Sequence, residues 1–231
     1  MPITLRRGGR KQKNGTAKGG DEVARIIYKN RAGQQLPGVT TIIAGLGWNK
    51  EGLMWWANQM GLEGKSHRDV AEKAADAGTL AHAMIELELK GRPAPQTGDI
   101  DPAIVSRAET AYLGWCQWAE LVKFQLIASE LSLVSEKHGF GGTLDIAAIQ
   151  GVHSIIDLKT SGNIYPDHWI QVAAYGRLYN ENYEAKIEAY YILRIDKLTG
   201  GFDHSYRPEL NDAWEAFQCL LRLHQLKNKI K

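Results

Sequence analysis

The chain has 231 residues, 44% of them hydrophobic and 23% charged, with a net charge of +2, which describes a folded globular protein with room for one sizeable core. No apolar stretch reaches the roughly eighteen residues of a membrane span, and the basic start of the chain lacks the apolar run of a secretory signal. Cys116 and Cys219 are too few for a four-cysteine iron–sulfur cluster and do not form a disulfide framework, so a reducing, cytoplasmic setting is expected.

Residues 1–20 carry Arg6, Arg7, Arg10, Lys11, Lys13 and Lys18 with no acid before Asp21, and read either as a flexible basic arm or as a solvated tail. They show no amphipathic pattern of the kind a mitochondrial presequence needs. Residues 21–50 include Leu36-Pro37-Gly38 and Val39-Thr40-Thr41-Ile42-Ile43, and read as short strands or turns leading into a helix. Leu53, Trp56 and Met60 then recur at helical spacing and predict a helix over 51–61 with one apolar face. Longer helices are expected over about 66–90 and, from the N-cap and N1 pair Asp101-Pro102, over about 102–124.

The pattern next becomes β-prone over 126–135, 143–149 and 152–159, with turns at His138-Gly139-Phe140-Gly141-Gly142 and Gln150-Gly151. Pro166 opens a helix to about 183. Strands follow at 187–195 and 202–206 around Gly200-Gly201, and a helix over about 209–228 closes the chain. This order predicts an α/β or α+β fold with a central mixed sheet flanked by helices. Residues 21–231 are expected to form one domain, with a mostly helical elaboration at about 51–124 and a core at about 125–231.

The chemistry concentrates in Ile155-Ile156-Asp157-Leu158-Lys159-Thr160-Ser161. On a strand Asp157 and Lys159 share a face, and neither is a good core residue without a partner. Alone the pair is a weak signal and reads first as a surface salt bridge at a strand end. Asp145, after Gly141-Gly142, lies in the preceding strand and can neighbour Asp157 if the two strands pair as a hairpin; it can also be a turn or cap residue. Two adjacent carboxylates repel unless a cation lies between them, and oxygen ligands suit Mg²⁺.

The run Gly-x-x-Asp followed by Asp-x-Lys resembles the PD-(D/E)xK nuclease superfamily, in particular its RecB-type exonuclease branch. Gly78-Thr79-Leu80-Ala81-His82 with Glu86 is similar to that branch's Gly-x-x-x-His helix, and Gln171-Val172-Ala173-Ala174-Tyr175 to its Gln-x-x-x-Tyr helix. Together these elements cover residues 78–180 in the family's order. Gly38-Val39-Thr40-Thr41-Ile42 and Trp55-Trp56 look, less specifically, like phage and mitochondrial-maintenance exonucleases of the branch.

The resemblance implies a restriction-endonuclease-like core in which His82, Asp145, Asp157 and the backbone carbonyl of Leu158 bind one or two Mg²⁺ or Mn²⁺ ions. A histidine ligand would let Mn²⁺ substitute readily. Lys159 would stand beside the scissile phosphate, with Glu130 as an acidic accessory, Glu86 orienting His82, and Gln171, Tyr175, Thr160 and Ser161 touching the substrate. Each has a plainer alternative: a structural histidine, surface charges at 86 and 130, and a core tyrosine at 175.

Thr143 stands where the family often has a basic residue, the cysteines of iron–sulfur relatives are missing, and no phosphate-binding loop of an ATP motor occurs. The expected function is a metal-dependent DNA exonuclease in recombination, replication or repair, compact enough to be phage-encoded, acting on linear DNA, with a single-strand annealing or recombination protein as a candidate partner. The alternatives are an endonuclease on the same scaffold and a non-catalytic DNA-binding protein. Lys50, Lys65, Arg68, Lys137 and the Trp55-Trp56 pair are further candidates for DNA contact.

Overall fold

A computed structural model describes residues 26–48, 50–227 and 229–230; the basic arm expected over 1–20 lies outside the described residues. A small antiparallel ribbon, β1 (Tyr28–Lys29) with β2 (Gln35–Leu36), precedes α1 (Val39–Ile43). The expectation of extended chain or a turn at Val39–Ile43 is corrected to a helix. Gly38 supplies an extended N-cap, and Val39 and Ile42, on one helical face, are buried in the cluster that holds helix 166–182. Burial outweighs the β preference of these branched residues.

Helix α2 (Lys50–Leu62) matches the expected span but not the expected burial. Trp56 and Met60 are half-buried and Leu53 is 61% exposed, so no apolar face is sealed. Helix α3 (His67–Leu89) starts on Ser66, whose hydroxyl accepts from the Asp69 amide at 3.3 Å. Helix α4 (Pro102–Val122) starts on Asp101, which accepts from the Ala103 amide at 2.9 Å, with Pro102 in the first turn.

The expected mixed sheet flanked by helices is present. Its strands are β3 (Gln125–Ser135), β4 (Phe140–Gln150), β5 (Val152–Lys159), β6 (Ala189–Ile195) and β7 (Phe202–Arg207), in that spatial order. All pairs are antiparallel except β5–β6, which is parallel and joined through α5 (Pro166–Asn182). Helices α3 and α4 cover one face, where Ala77, Ala81 and Ile85 meet Trp115, Trp118 and the strand residues Ile146, Ile156, Leu158 and Leu193. Helices α1, α5 and α6 (Asn211–Lys227) cover the other, over Phe140, Leu144, Ala147, Ile155 and Ile192.

Phe140-Gly141-Gly142, expected in a turn, belong to β4. Gly139, with φ of +75°, is the residue that turns the chain. Gly141 and Gly142 are glycines because of what lies over them: an added Cβ would come within 2.3 Å of the Tyr28 ring at 141 and 2.9 Å of Tyr175 and Val39 at 142.

A similar close approach joins α4 to the β6–β7 turn, where a Cβ on Gly114 would lie 2.4 Å from the carbonyl oxygen of Gly200. Backbone cannot yield as a side-chain tip can. Gly114→Ala is therefore expected to destabilise the protein by about 1–3 kcal/mol, as overpacking does elsewhere, measured by urea denaturation. An unchanged midpoint would show that α4 and the turn are not pressed together.

Candidate active site

The site begins with register. Ile146 pairs with Ile156, so one step further along β4 and β5 sets Asp145 opposite Asp157. On the other side of β4, the pairs Ser129↔Ile146 and Leu131↔Leu144 set Glu130 opposite Asp145. Three acids thus lie in one row across three strands, where β5 ends.

The ladder is irregular at this row. Glu130 has φ of +49°, a left-handed conformation in mid-strand. Leu144 and Ile146 should share a face, yet they join opposite cores. The strand therefore changes face at Asp145, beside the left-handed Glu130, and both acids reach the cavity under α3. A left-handed L-residue costs about 1–2 kcal/mol, and such strain concentrates at functional sites.

Helix α3 brings the histidine. Gly78 lets the helix approach the end of β5 closely, since a Cβ there would be 2.6 Å from Thr160 Oγ1. His82, one turn on, has Nδ1 4.0 Å from Asp145 Oδ1. His82, Glu130 and Asp145 each offer one ligand atom, all within 4.8 Å of one another. Asp145 is held from the other side, where Oδ2 accepts from the Leu158 amide at 2.7 Å. N–H and C=O of a strand residue point to the same edge, so the Leu158 carbonyl is directed toward this same gap.

Asp157 is fully buried, with Oδ2 2.5 Å from Lys159 Nζ. Its Oδ1 meets no hydrogen-bond partner among the described residues. Burial pushes the Asp157 carboxyl up against the pull of Lys159, and Asp145 pushes it further. Glu130 is pushed up to about 7 by burial, then by Asp145 and Glu86. Burial works against the Lys159 charge, but Asp157 and Asp145 more than offset it and hold the ammonium above its ordinary range. Carboxylates crowded together beside an imidazole are a donor set that fits a divalent cation.

A cavity of about 710 Å³ opens over His82, Glu130 and Asp145, lined also by Glu86, Thr160 and Ser161 among others; the buried Asp157–Lys159 pair lies outside its lining, and Asp157 is outside the group of three ligand atoms that His82, Glu130 and Asp145 form. Ser161 Oγ donates to the Asn163 carbonyl at 2.8 Å. Glu86 pairs with the Lys90 ammonium, so the expected contact with His82 is replaced by a partner one turn along the helix. Gln171 Nε2 donates to Tyr175 Oη at 2.7 Å. Tyr175 is buried in the core, its hydroxyl raised by burial and by Asp157 and Asp145 behind it. Gln171 lines a second cavity of about 420 Å³ with Thr40, Trp48, Lys50, Asp167 and His168.

Of the other residues expected to contact DNA, Trp55 is 67% exposed, Trp56 stands edge-on to His67, and Lys65 pairs with Glu63 at 2.7 Å. Lys50 and Arg68 line cavities, and Lys137 is exposed. Sequence reasoning passes over Lys197, which reaches the main cavity from the β6–β7 turn. No local motif marks it, since only the parallel β5–β6 pairing brings that turn to α3.

Glu130→Gly tests the strained row. Glycine removes the left-handed penalty and a half-buried carboxylate, so thermal unfolding in EDTA is expected to shift upward while Mn²⁺ affinity falls at least tenfold. A fall in both would show that Glu130 supports the strand rather than the ion.

No family model matches the chain, and no curated protein does. Solved structures do match. One is a candidate exonuclease from Eubacterium rectale, 17% identical, with a TM-score of 0.47 and 65% of each chain covered. The match therefore spans less than two thirds of that neighbour's length. A second is the exonuclease LHK-Exo in complex with dAMP, 14% identical, with a TM-score of 0.42, covering 69% of this chain and 88% of that one. A further LHK-Exo structure, described as an alkaline exonuclease from Laribacter hongkongensis, matches at 14% identity and a TM-score of 0.37, covering 67% of this chain and 91% of that one. The chain is thus similar, at low identity, to structures described as exonucleases.

Proposed function

We propose that residues 21–231 form one PD-(D/E)xK nuclease domain, a divalent-metal-dependent DNA exonuclease serving recombination, replication or repair. The observation that carries this reading is the convergence of His82, Glu130 and Asp145 within 4.8 Å of one another, with the buried Asp157–Lys159 pair in register beside Asp145.

His82, Asp145, Glu130, Asp157 and the Leu158 carbonyl would hold the ion, Mg²⁺ or Mn²⁺. Such an ion lowers the pKa of water and polarises a phosphoryl oxygen. The protein's own residues set the rest. Asp145 is fixed by the Leu158 amide, so its second oxygen is aimed without reorganisation. Lys159 is held charged by its neighbours and acts as a cation at the phosphate rather than as a base. Thr160, at the cavity wall, would donate to a phosphate oxygen, and Ser161 would do so once its hydroxyl leaves the Asn163 carbonyl. Gln171 is tied to Tyr175 and presents its amide from the adjoining cavity.

The test is digestion of end-labelled linear DNA, single- and double-stranded, beside a closed circle, in Mg²⁺, Mn²⁺ or EDTA. Loss of label from linear DNA alone, abolished by EDTA, is the expected result. Cutting of the circle would make the protein an endonuclease. Binding without cutting in either metal would make it a DNA-binding protein on this fold.

A further inference from the structure

The same cavity has a basic end. Lys197 sits in the β6–β7 turn and lines the cavity opposite His82 and Asp145. Its Nζ donates to the Ala74 carbonyl on α3 at 2.9 Å. Among the described residues it has no carboxylate within ion-pair distance, although it is half-buried. Its neighbour Asp196 is occupied elsewhere: Oδ1 caps the turn by accepting from the Leu198 and Thr199 amides at 2.8 and 3.1 Å. Gly200, with φ of +73°, and the backbone bond from the Gly200 amide to the Asp196 carbonyl close the turn. Gly114 of α4 presses against it from behind. Lys197 is therefore a cation on a rigid mount.

Between Lys197 and His82 the wall of the cavity is the α3 face formed by Ala74, Ala75, Gly78 and Thr79. No bulky or charged side chain of that face interrupts the path. From position 74 to 82 the helix rises about 12 Å, against roughly 3.4 Å of duplex axis per phosphate on one strand. An unpaired half-buried cation is costly unless an anion visits it. The carboxylate-rich end of the cavity repels a polyanion until a metal binds, so the opposite end has to supply the attraction.

We propose that Lys197 contacts a phosphate of the bound strand roughly three to four nucleotides from the scissile linkage, making this cavity a track for the DNA backbone from the metal ligands to the β6–β7 turn. This rests on the nuclease reading. Burial and Arg107 press the Lys197 ammonium downward, and a phosphate there would oppose that shift.

The experiment measures binding of single strands two to six nucleotides long by fluorescence anisotropy in Ca²⁺, with digestion in Mg²⁺ run in parallel. Wild type, Lys197→Ala and Lys197→Arg are compared. For wild type, affinity is expected to step up about tenfold when the strand becomes long enough to reach the turn. The step disappears in Lys197→Ala, returns in Lys197→Arg, and the shortest strands bind all three alike. Replacing the corresponding phosphate with a neutral methylphosphonate should erase the step in wild type and change nothing in Lys197→Ala. If Lys197 only props the turn against Ala74, the loss will be equal at every length, and that result overturns the contact. Wild-type protein that cleaves DNA but shows no length step overturns the contact alone. Wild-type protein that neither binds nor cleaves overturns the nuclease reading and the contact with it.

Discussion

Asp145→Ala is expected to lower metal-dependent DNA cleavage by roughly 10³-fold or more and to weaken Mn²⁺ binding in parallel, the largest loss from any single substitution. Asp145 stands at the middle of the acidic row, with Glu130 across one strand pair and Asp157 across the other. It is 4.0 Å from the His82 imidazole and accepts from the Leu158 amide. It belongs to the group of three ligand atoms with His82 and Glu130 and is also hydrogen-bonded to the β5 backbone. Asp145→Asn separates charge from shape, because an amide oxygen can still accept from Leu158. It should be as inactive as the alanine variant but fold normally. Without metal it should also unfold at a higher temperature than wild type, since the Asp145 charge is what pushes Glu130 and Asp157 upward after burial has acted. Activity within tenfold of wild type in Asp145→Asn would remove Asp145 from the metal set.

The second large effect belongs to Lys159. Lys159→Met is expected to reduce kcat by about 10²–10³-fold while leaving Mn²⁺ affinity within a few-fold of wild type, because the ammonium opposes phosphate charge rather than binding the ion. The same change strands Asp157, which is fully buried with Lys159 as its ion-pair partner. Breaking one side of a buried pair costs about 3–5 kcal/mol.

The pH dependence has a definite sign. Asp157 is raised above its unfolded value, so the folded state holds its proton to higher pH than the unfolded chain does. Between the two pKa values stability falls as pH rises, and removing Lys159 widens that window upward. In EDTA, Lys159→Met should therefore lose most stability at pH 8.5 and recover much of it at pH 5.5, seen by urea denaturation. A pH-independent loss would mean that Asp157 is not the group left unpaired.

Much of this site is legible in the amino-acid sequence. The same-face placement of Asp157 and Lys159 follows from the two-residue period of a strand, and the neighbouring of Asp145 and Asp157 from the short turn at Gln150-Gly151. Asp101-Pro102 and Pro166 mark helix starts correctly because caps are local chemistry.

What the sequence hides is non-local. Nothing in Ser129-Glu130-Leu131 announces a left-handed residue, and without that irregularity Glu130 looks like a surface charge. Gly141 and Gly142 resemble a turn until Tyr28 and Tyr175 are seen lying on them. Val39–Ile43 has β-branched composition but buries its apolar side as a helix. The spacing of Leu53, Trp56 and Met60 predicts a core stripe, yet α2 leaves that face largely open. Lys197 is brought to α3 by topology alone.

The most direct test of the metal centre is a crystal grown or soaked in Mn²⁺ and measured at a wavelength where manganese scatters anomalously. The account predicts an anomalous peak about 2.0–2.6 Å from an Asp145 oxygen and a His82 nitrogen, with Glu130 or Asp157 among the other ligands. A fully soaked crystal with no peak between His82 and Asp145, or with manganese bound only elsewhere, would contradict it.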